Sequence, residues 1–161
     1  MDTVKKFFNN LEEFIVVPLV AAMTVVIVLQ VFFRYVMKGS LSWSEELARY
    51  LMVWVSFVGA SIGVKRGAHV GVELAVSTLP KNIQKITNYI AIIISIIFCI
   101  VVFNASLGIL QRQITGNQIS PAMRIPMWWV YAAIPVGTFL MTVRFIQALF
   151  KNKALNTETR D

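Results

Sequence analysis

ITNYIAIIISIIFCIVVFNASLGILQ, residues 86–111, carries no charged side chain from end to end. A helix crossing the hydrocarbon core of a bilayer needs about 20 mainly apolar residues, because each adds about 1.5 Å across about 30 Å. The stretch exceeds that need and reads as a spanning helix with room to tilt. Backbone polar groups in lipid must be satisfied within the segment, so the form is helical. A β-barrel would show short segments of alternating polarity instead. The polar points of the run are Asn104 and Ser106, and Cys99 reads as a small packing residue.

Outward from this run the pattern repeats. Residues 14–33 and 125–143 are also free of charge and long enough to span. Residues 50–64 are free of charge but too short alone. Ser42 followed by Glu45 has capping-box spacing, which predicts a helix starting near Trp43 and running unbroken past the short run. The expected fold is an all-α integral membrane domain over residues 1–150. It has four transmembrane helices at about 14–34, 43–65, 86–111 and 125–147, then a polar tail over 151–161 without fixed structure. Short interfacial helical segments are expected in the lead-in, with Phe7, Phe8 and Leu11 on one face, and over 70–79 before Pro80. The first run is too long for a cleaved signal and lacks a small-x-small site. Trp128, Trp129 and Tyr131 open the last helix and read as membrane-interface anchors. Pro135 and Gly137 predict a kink within it.

Composition agrees with a bilayer solvent. Hydrophobic residues make up 57% and charged residues 14%, whereas a soluble domain has about 25% charged. Of the 15 Lys and Arg, two thirds fall on the side that holds the N-terminus, the second loop and the C-terminus. Basic residues collect on the cytoplasmic side, so both termini are predicted to be cytoplasmic in a bacterial inner membrane. The net charge of +7 is then a topology signal and an attraction to anionic membrane lipids. No water-exposed domain is left over to carry a nucleic-acid interface.

The candidate functional residues are few. Glu45 and Glu46 stand four and three residues before Arg49, so either can pair with it on a helix face. With Trp43 they form a polar patch that is either a helix-end ion pair or a docking point for a partner. Gly59 and Gly63 make a GxxxG, a surface where another helix can approach closely. The second loop offers Arg66, His69 and Glu73. A histidine beside a carboxylate can relay a proton, but more often makes an ordinary loop hydrogen bond. No catalytic set, cofactor site or metal cluster is evident, and one histidine cannot supply a pair of haem ligands. A carrier acting alone usually shows broken helices or ionisable groups near the midplane. The residues read as a scaffold rather than an enzyme.

Leu41-Ser42-Trp43-Ser44-Glu45-Glu46-Leu47-Ala48-Arg49-Tyr50 resembles the small membrane subunit, DctQ-like, of tripartite ATP-independent periplasmic (TRAP) transporters. That family shows a W-x-E-E-x-x-R core after an F-R-Y end to the first helix, here Phe33-Arg34-Tyr35. Gly59-Ala60, Arg66-Gly67-Ala68-His69-Val70 and the entry to the last helix between Pro126 and Pro135 also match, over about residues 5–148. The resemblance implies a stable pairing with a large TRAP membrane subunit that holds the substrate and sodium sites. It also implies transient contact with a periplasmic substrate-binding protein and uptake of an organic acid, with the sialic-acid type preferred. Two other readings stand beside it: a stand-alone homodimeric channel or multidrug-type carrier, and a membrane anchor of a redox complex.

Overall fold

The computed structural model of the protein describes residues 10–39, 41–66 and 80–158. Its helices are α1 (Leu11–Tyr35), α2 (Ser42–Lys65), α3 (Lys81–Thr115), α4 (Trp128–Tyr131) and α5 (Ala133–Glu158). Four segments are long and apolar enough to cross a membrane: Leu11–Tyr35, Ser42–Lys65, Ile86–Thr115 and Trp128–Phe150. Among the described residues there is no strand, only a single bridge between Ile119 and Pro126. The chain is thus an all-helical membrane protein with four spans. His69, Glu73, the lead-in with Phe7 and Phe8, and the interfacial segment over 70–79 lie outside the described residues.

Several boundaries shift for physical reasons. α3 has 35 residues, about 52 Å at about 1.5 Å per residue. It begins directly after Pro80, whose fixed φ suits the turn leading into a helix. α2 begins at Ser42, but the capping box does not form: its N-cap is Leu41, with no side-chain cap bond. Glu45 is drawn away to accept a bond from Gln30 Nε2 at 3.1 Å. Near Pro135 and Gly137, where a kink is expected, the helix is interrupted at Ala132, between α4 and α5, with its backbone still in the right-handed helical region. Pro135 has no N–H for Tyr131 O and its ring clashes with that carbonyl, so the break falls one turn earlier. The polar tail, expected to lack structure, continues α5 as helix to Glu158.

The helices stand side by side in one layer, in the order α1, α2, α5, α3. The backbones of α1 and α3 each approach one long neighbour, α2 and α5 respectively. The register follows from named contacts. Trp54 Nε1 donates to Trp129 O at 3.2 Å, Phe57 meets Gly137, and Ser61 lies with Arg144 around Glu12. Rising numbers on both helices mean that α2 and α5 run in the same direction. α3 runs against α5, with Phe103 beside Phe139 at a centroid distance of 6.3 Å and Ile92 and Cys99 packed with Phe145.

A single layer cannot enclose a core. The buried apolar residues reduce to a few at helix crossings, among them Val26, Val58, Ile92, Cys99, Ala133 and Phe145. Only 6% of the most apolar stretch of α1 is buried within the chain. Apolar faces of this extent are untenable in water, where contiguous patches beyond a few hundred Å² are rare. Lipid or another membrane protein must cover them.

The closest approach is at Gly137. A Cβ there would stand 2.6 Å from Phe57 Cβ and 2.7 Å from both its backbone C and O. Gly59, from the GxxxG, behaves differently: a Cβ on it would meet nothing within 4 Å. The tight helix contact inside the chain is therefore made by Gly137, and Gly59 contributes none.

Candidate functional site

The polar side chains gather at the two ends of the row. At the end holding the start of α1, Glu12 and Arg144 form a two-pronged ion pair. Arg144 Nε donates to Glu12 Oε1 at 2.6 Å and Nη2 donates to Oε2 at 2.6 Å. Ser61 Oγ adds a third bond to Oε1 at 3.0 Å, and Arg144 Nη1 reaches Gln147 Oε1 at 2.8 Å. Glu12 is 1% exposed, Arg144 7% and Ser61 0%. The planar guanidinium matches a carboxylate in this geometry, and a charge taken from water is tolerable only when paired and hydrogen-bonded so fully. One α1 carboxylate thus ties α2 and α5 together, although α1 and α5 have no backbone approach of their own.

Glu13 turns the other way and pairs with Lys65 Nζ at 3.5 Å and Arg66 Nη2 at 3.3 Å. Lys65 also donates to Asn10 Oδ1 at 3.1 Å. Arg66, singled out as a loop candidate, is therefore joined to α1, while its companions His69 and Glu73 lie outside the described residues. The sequence reading took the first and last spans to be free of charge. Charges fall inside both, among them Glu12 in Leu11–Tyr35 and Arg144 in Trp128–Phe150. Mutual neutralisation makes this possible.

At the opposite end Glu46 turns inward. Its Oε2 accepts the amides of Ala122 at 2.8 Å and Met123 at 3.0 Å, and its Oε1 accepts the Tyr50 hydroxyl. The loop it grips is already folded on itself: Ser120 N–H donates to Ile125 O at 2.9 Å and Met127 N–H to Gln118 O at 2.8 Å. Arg124 sits at φ 54°, a left-handed turn that helps successive amides face one acceptor. Arg49 lies on the exposed side of α2 and makes no ion pair among the described residues. The pairing expected between Arg49 and Glu45 or Glu46 does not form, because backbone amides hold Glu46 and Gln30 holds Glu45. Trp43 stands partly exposed at the same end. Trp128 and Trp129 stack at 4.8 Å beside Tyr131 in α4.

Glu46→Ala leaves the amides of Ala122 and Met123 and the Tyr50 hydroxyl without their acceptor, at about 1–3 kcal/mol for each group left unpaired. The expected result is faster tryptic cleavage at Arg124 and a lower unfolding temperature in detergent. Glu46→Gln, which keeps an acceptor oxygen, should lie between that variant and the parent. Equal cleavage rates for all three would show that the carboxylate does not hold the loop.

Among the described residues, no group of His, Cys, Asp and Glu could hold a metal ion. The carboxylates Glu12, Glu13, Glu45 and Glu46 at the two ends spend their bonds within the chain. The geometry is that of a braced plate of helices.

Comparison with known proteins accords with that geometry. Residues 23–153 match the family described as tripartite ATP-independent periplasmic transporters, DctQ component. The chain is similar to the sialic acid TRAP transporter small permease protein SiaQ of Vibrio cholerae, 32% identical over 149 residues, covering 91% of this chain and 83% of that protein. It is 34% identical over 144 residues to the sialic acid TRAP transporter permease protein SiaT of Haemophilus influenzae, covering 89% of this chain and 23% of SiaT. It is 29% identical over 146 residues to the isethionate TRAP transporter permease protein DctMQ of Oleidesulfovibrio alaskensis, covering 87% of this chain and 23% of DctMQ. The chain therefore spans about a quarter of the length of these two longer relatives. The family match covers most of a chain with four membrane-spanning helices, and the chain belongs to the DctQ component family of the TRAP transporters.

Proposed function

We propose that the chain is the small, non-catalytic membrane subunit of a TRAP transporter. It braces a large permease subunit that holds the substrate and ion sites. The observation that carries this reading is the single layer of helices. Its carboxylates Glu12, Glu13, Glu45 and Glu46 are engaged within the chain at the two ends, and its broad apolar faces suit a larger partner and lipid. Cargo transfer would fall to the partner, driven by an ion gradient such as sodium, with a periplasmic binding protein delivering an organic acid. SiaQ and SiaT, whose names give sialic acid, favour that substrate class. In this reading the protein lies in a bacterial inner membrane with both termini cytoplasmic. It takes no cofactor and performs no covalent chemistry.

The test is co-purification with a large TRAP permease subunit encoded beside it, followed by uptake of radiolabelled substrate into vesicles. The expected result is a stable complex and uptake that needs both chains. Solute transport by this chain reconstituted alone would overturn the proposal in favour of a stand-alone carrier. Exposed and without an ion-pair partner among the described residues, Arg49 is the side chain of the patch best placed to reach the large subunit. Arg49→Ala is expected to lower the yield of complex several-fold while the isolated chain keeps its unfolding temperature. An unchanged yield would remove Arg49 from the interface.

A further inference from the structure

α3 carries a pattern that packing within the chain does not use. From residue 83 to 114, positions spaced alternately three and four apart are all apolar or amide-bearing. The first six, from Ile83 to Ile100, are isoleucine, followed by Asn104, Leu107, Gln111 and Ile114. This is the a and d spacing of a helix that packs lengthwise against another at a shallow angle. All ten side chains are exposed. The face of α3 turned to α5 is a different one, with Ile92, Cys99 and Ser106 buried.

Lipid is a poor cover for this stripe. Asn104 lies about 16 Å inside the span, counting about 1.5 Å per residue back from Thr115. Its amide nitrogen donates to Ile100 O at 2.9 Å, and its amide oxygen has no partner among the described residues. The side-chain amide of Gln111, two turns on along the same stripe, has none either. An amide facing hydrocarbon is costly until a neighbouring helix supplies its hydrogen bonds. Beside Gln111, Gly108 leaves the helix surface low, and a Cβ there would meet nothing within 4 Å. The outer flank of α1 contrasts with this. Its exposed residues are apolar apart from Thr24, which bonds its own helix at Val20 O, and Arg34 and Tyr35 at the helix end, while Gln30 is taken up by Glu45. That flank suits lipid.

We propose that this stripe on α3 is the seam along which a membrane helix of the large permease subunit packs, hydrogen-bonded at Asn104 and Gln111. The inference rests on the function proposed above. By shape alone a second copy of the chain could fill the seam, because an asparagine at such a position can pair with its copy. SiaT and DctMQ decide between the two. In each, the counterpart of this chain is 23% of one longer permease polypeptide, so the neighbour present in fixed one-to-one ratio is the rest of that permease.

The test is thiol cross-linking in membranes from cells that make both subunits. The background is Cys99→Ser, which removes the buried native thiol. Single cysteines replace Ile90, Ile97 or Asn104 on the seam and Val17 or Val28 on the α1 flank, and co-purification of each variant is scored alongside. Cross-links to the large subunit several-fold stronger from the seam than from the flank are expected. Intact co-purification with flank cross-links only, or with seam cross-links only to a second copy of this chain, would overturn the seam while sparing the proposed function. Failure of the unsubstituted chain to co-purify would overturn both.

Discussion

Arg144→Ala is expected to abolish most of the folded protein recovered from membranes. The substitution strands Glu12, 1% exposed, as a buried carboxylate held only by Ser61 and its own helix start. Removing one partner of a buried pair costs about 3–5 kcal/mol, against a total stability of about 5–15 kcal/mol for a typical domain. α1 loses its ion pair with α5 at the same stroke. The measurement is the unfolding temperature and the monodisperse yield in detergent. Ser61→Ala, which removes one bond of three, should cost only about 0.5–1.5 kcal/mol. The double variant Glu12→Leu with Arg144→Met discriminates between causes. Matched apolar replacement of a buried pair is often close to neutral, so it should recover much of what either single change loses. An Arg144→Ala protein as stable as the parent would refute the brace.

Gly137→Ala is the second large effect. The added methyl would enter a space where Phe57 Cβ stands at 2.6 Å and the Phe57 backbone at 2.7 Å. Over-packing costs about 1–3 kcal/mol where side chains can give way. Here the obstacle is largely backbone, so the result should reach the top of that range or pass it, with α2 and α5 forced apart. Phe57→Ala should not rescue it, since Cβ, C and O all remain. Gly59→Ala serves as the control and should leave the unfolding temperature unchanged, because that Cβ meets nothing within 4 Å. A Gly137→Ala protein that melts with the parent would show that the helices are less tightly apposed.

The four spans were legible because length and absence of charge decide them without knowledge of the partner. The polar braces were less so. Glu12 and Arg144 stand 132 residues apart, each at the margin of a charge-free run, and there read as the point where a span ends. Even topology places both on one side of the membrane, which was the available signal. That Arg144 lies inside the last span depends on its partner, and tertiary contacts set that. Glu46 presents the reverse case. Helix spacing offered it Arg49, yet the loop amides of Ala122 and Met123 prevail, because a fixed pair of backbone donors outweighs an exposed arginine on a long, freely rotating stem. Gly137 was seen only as a kink companion of Pro135, while Gly59 drew attention through its motif. Which glycine a neighbouring backbone approaches follows from the order of the helices, and local sequence does not encode it.

That order has a consequence for biogenesis. α3 leaves the ribosome before α5, yet α5 is the only long helix of the chain whose backbone α3 meets. Newly inserted, α3 meets neither α1 nor α2 backbone to backbone, and among the described long helices its neighbour arrives only with α5, which slots between it and α2. The long helix made after α3 is the keystone. A chain stalled or clipped before residue 133 would leave an early hairpin and a stray helix adrift in the bilayer, an exposed intermediate for quality-control proteases to recognise.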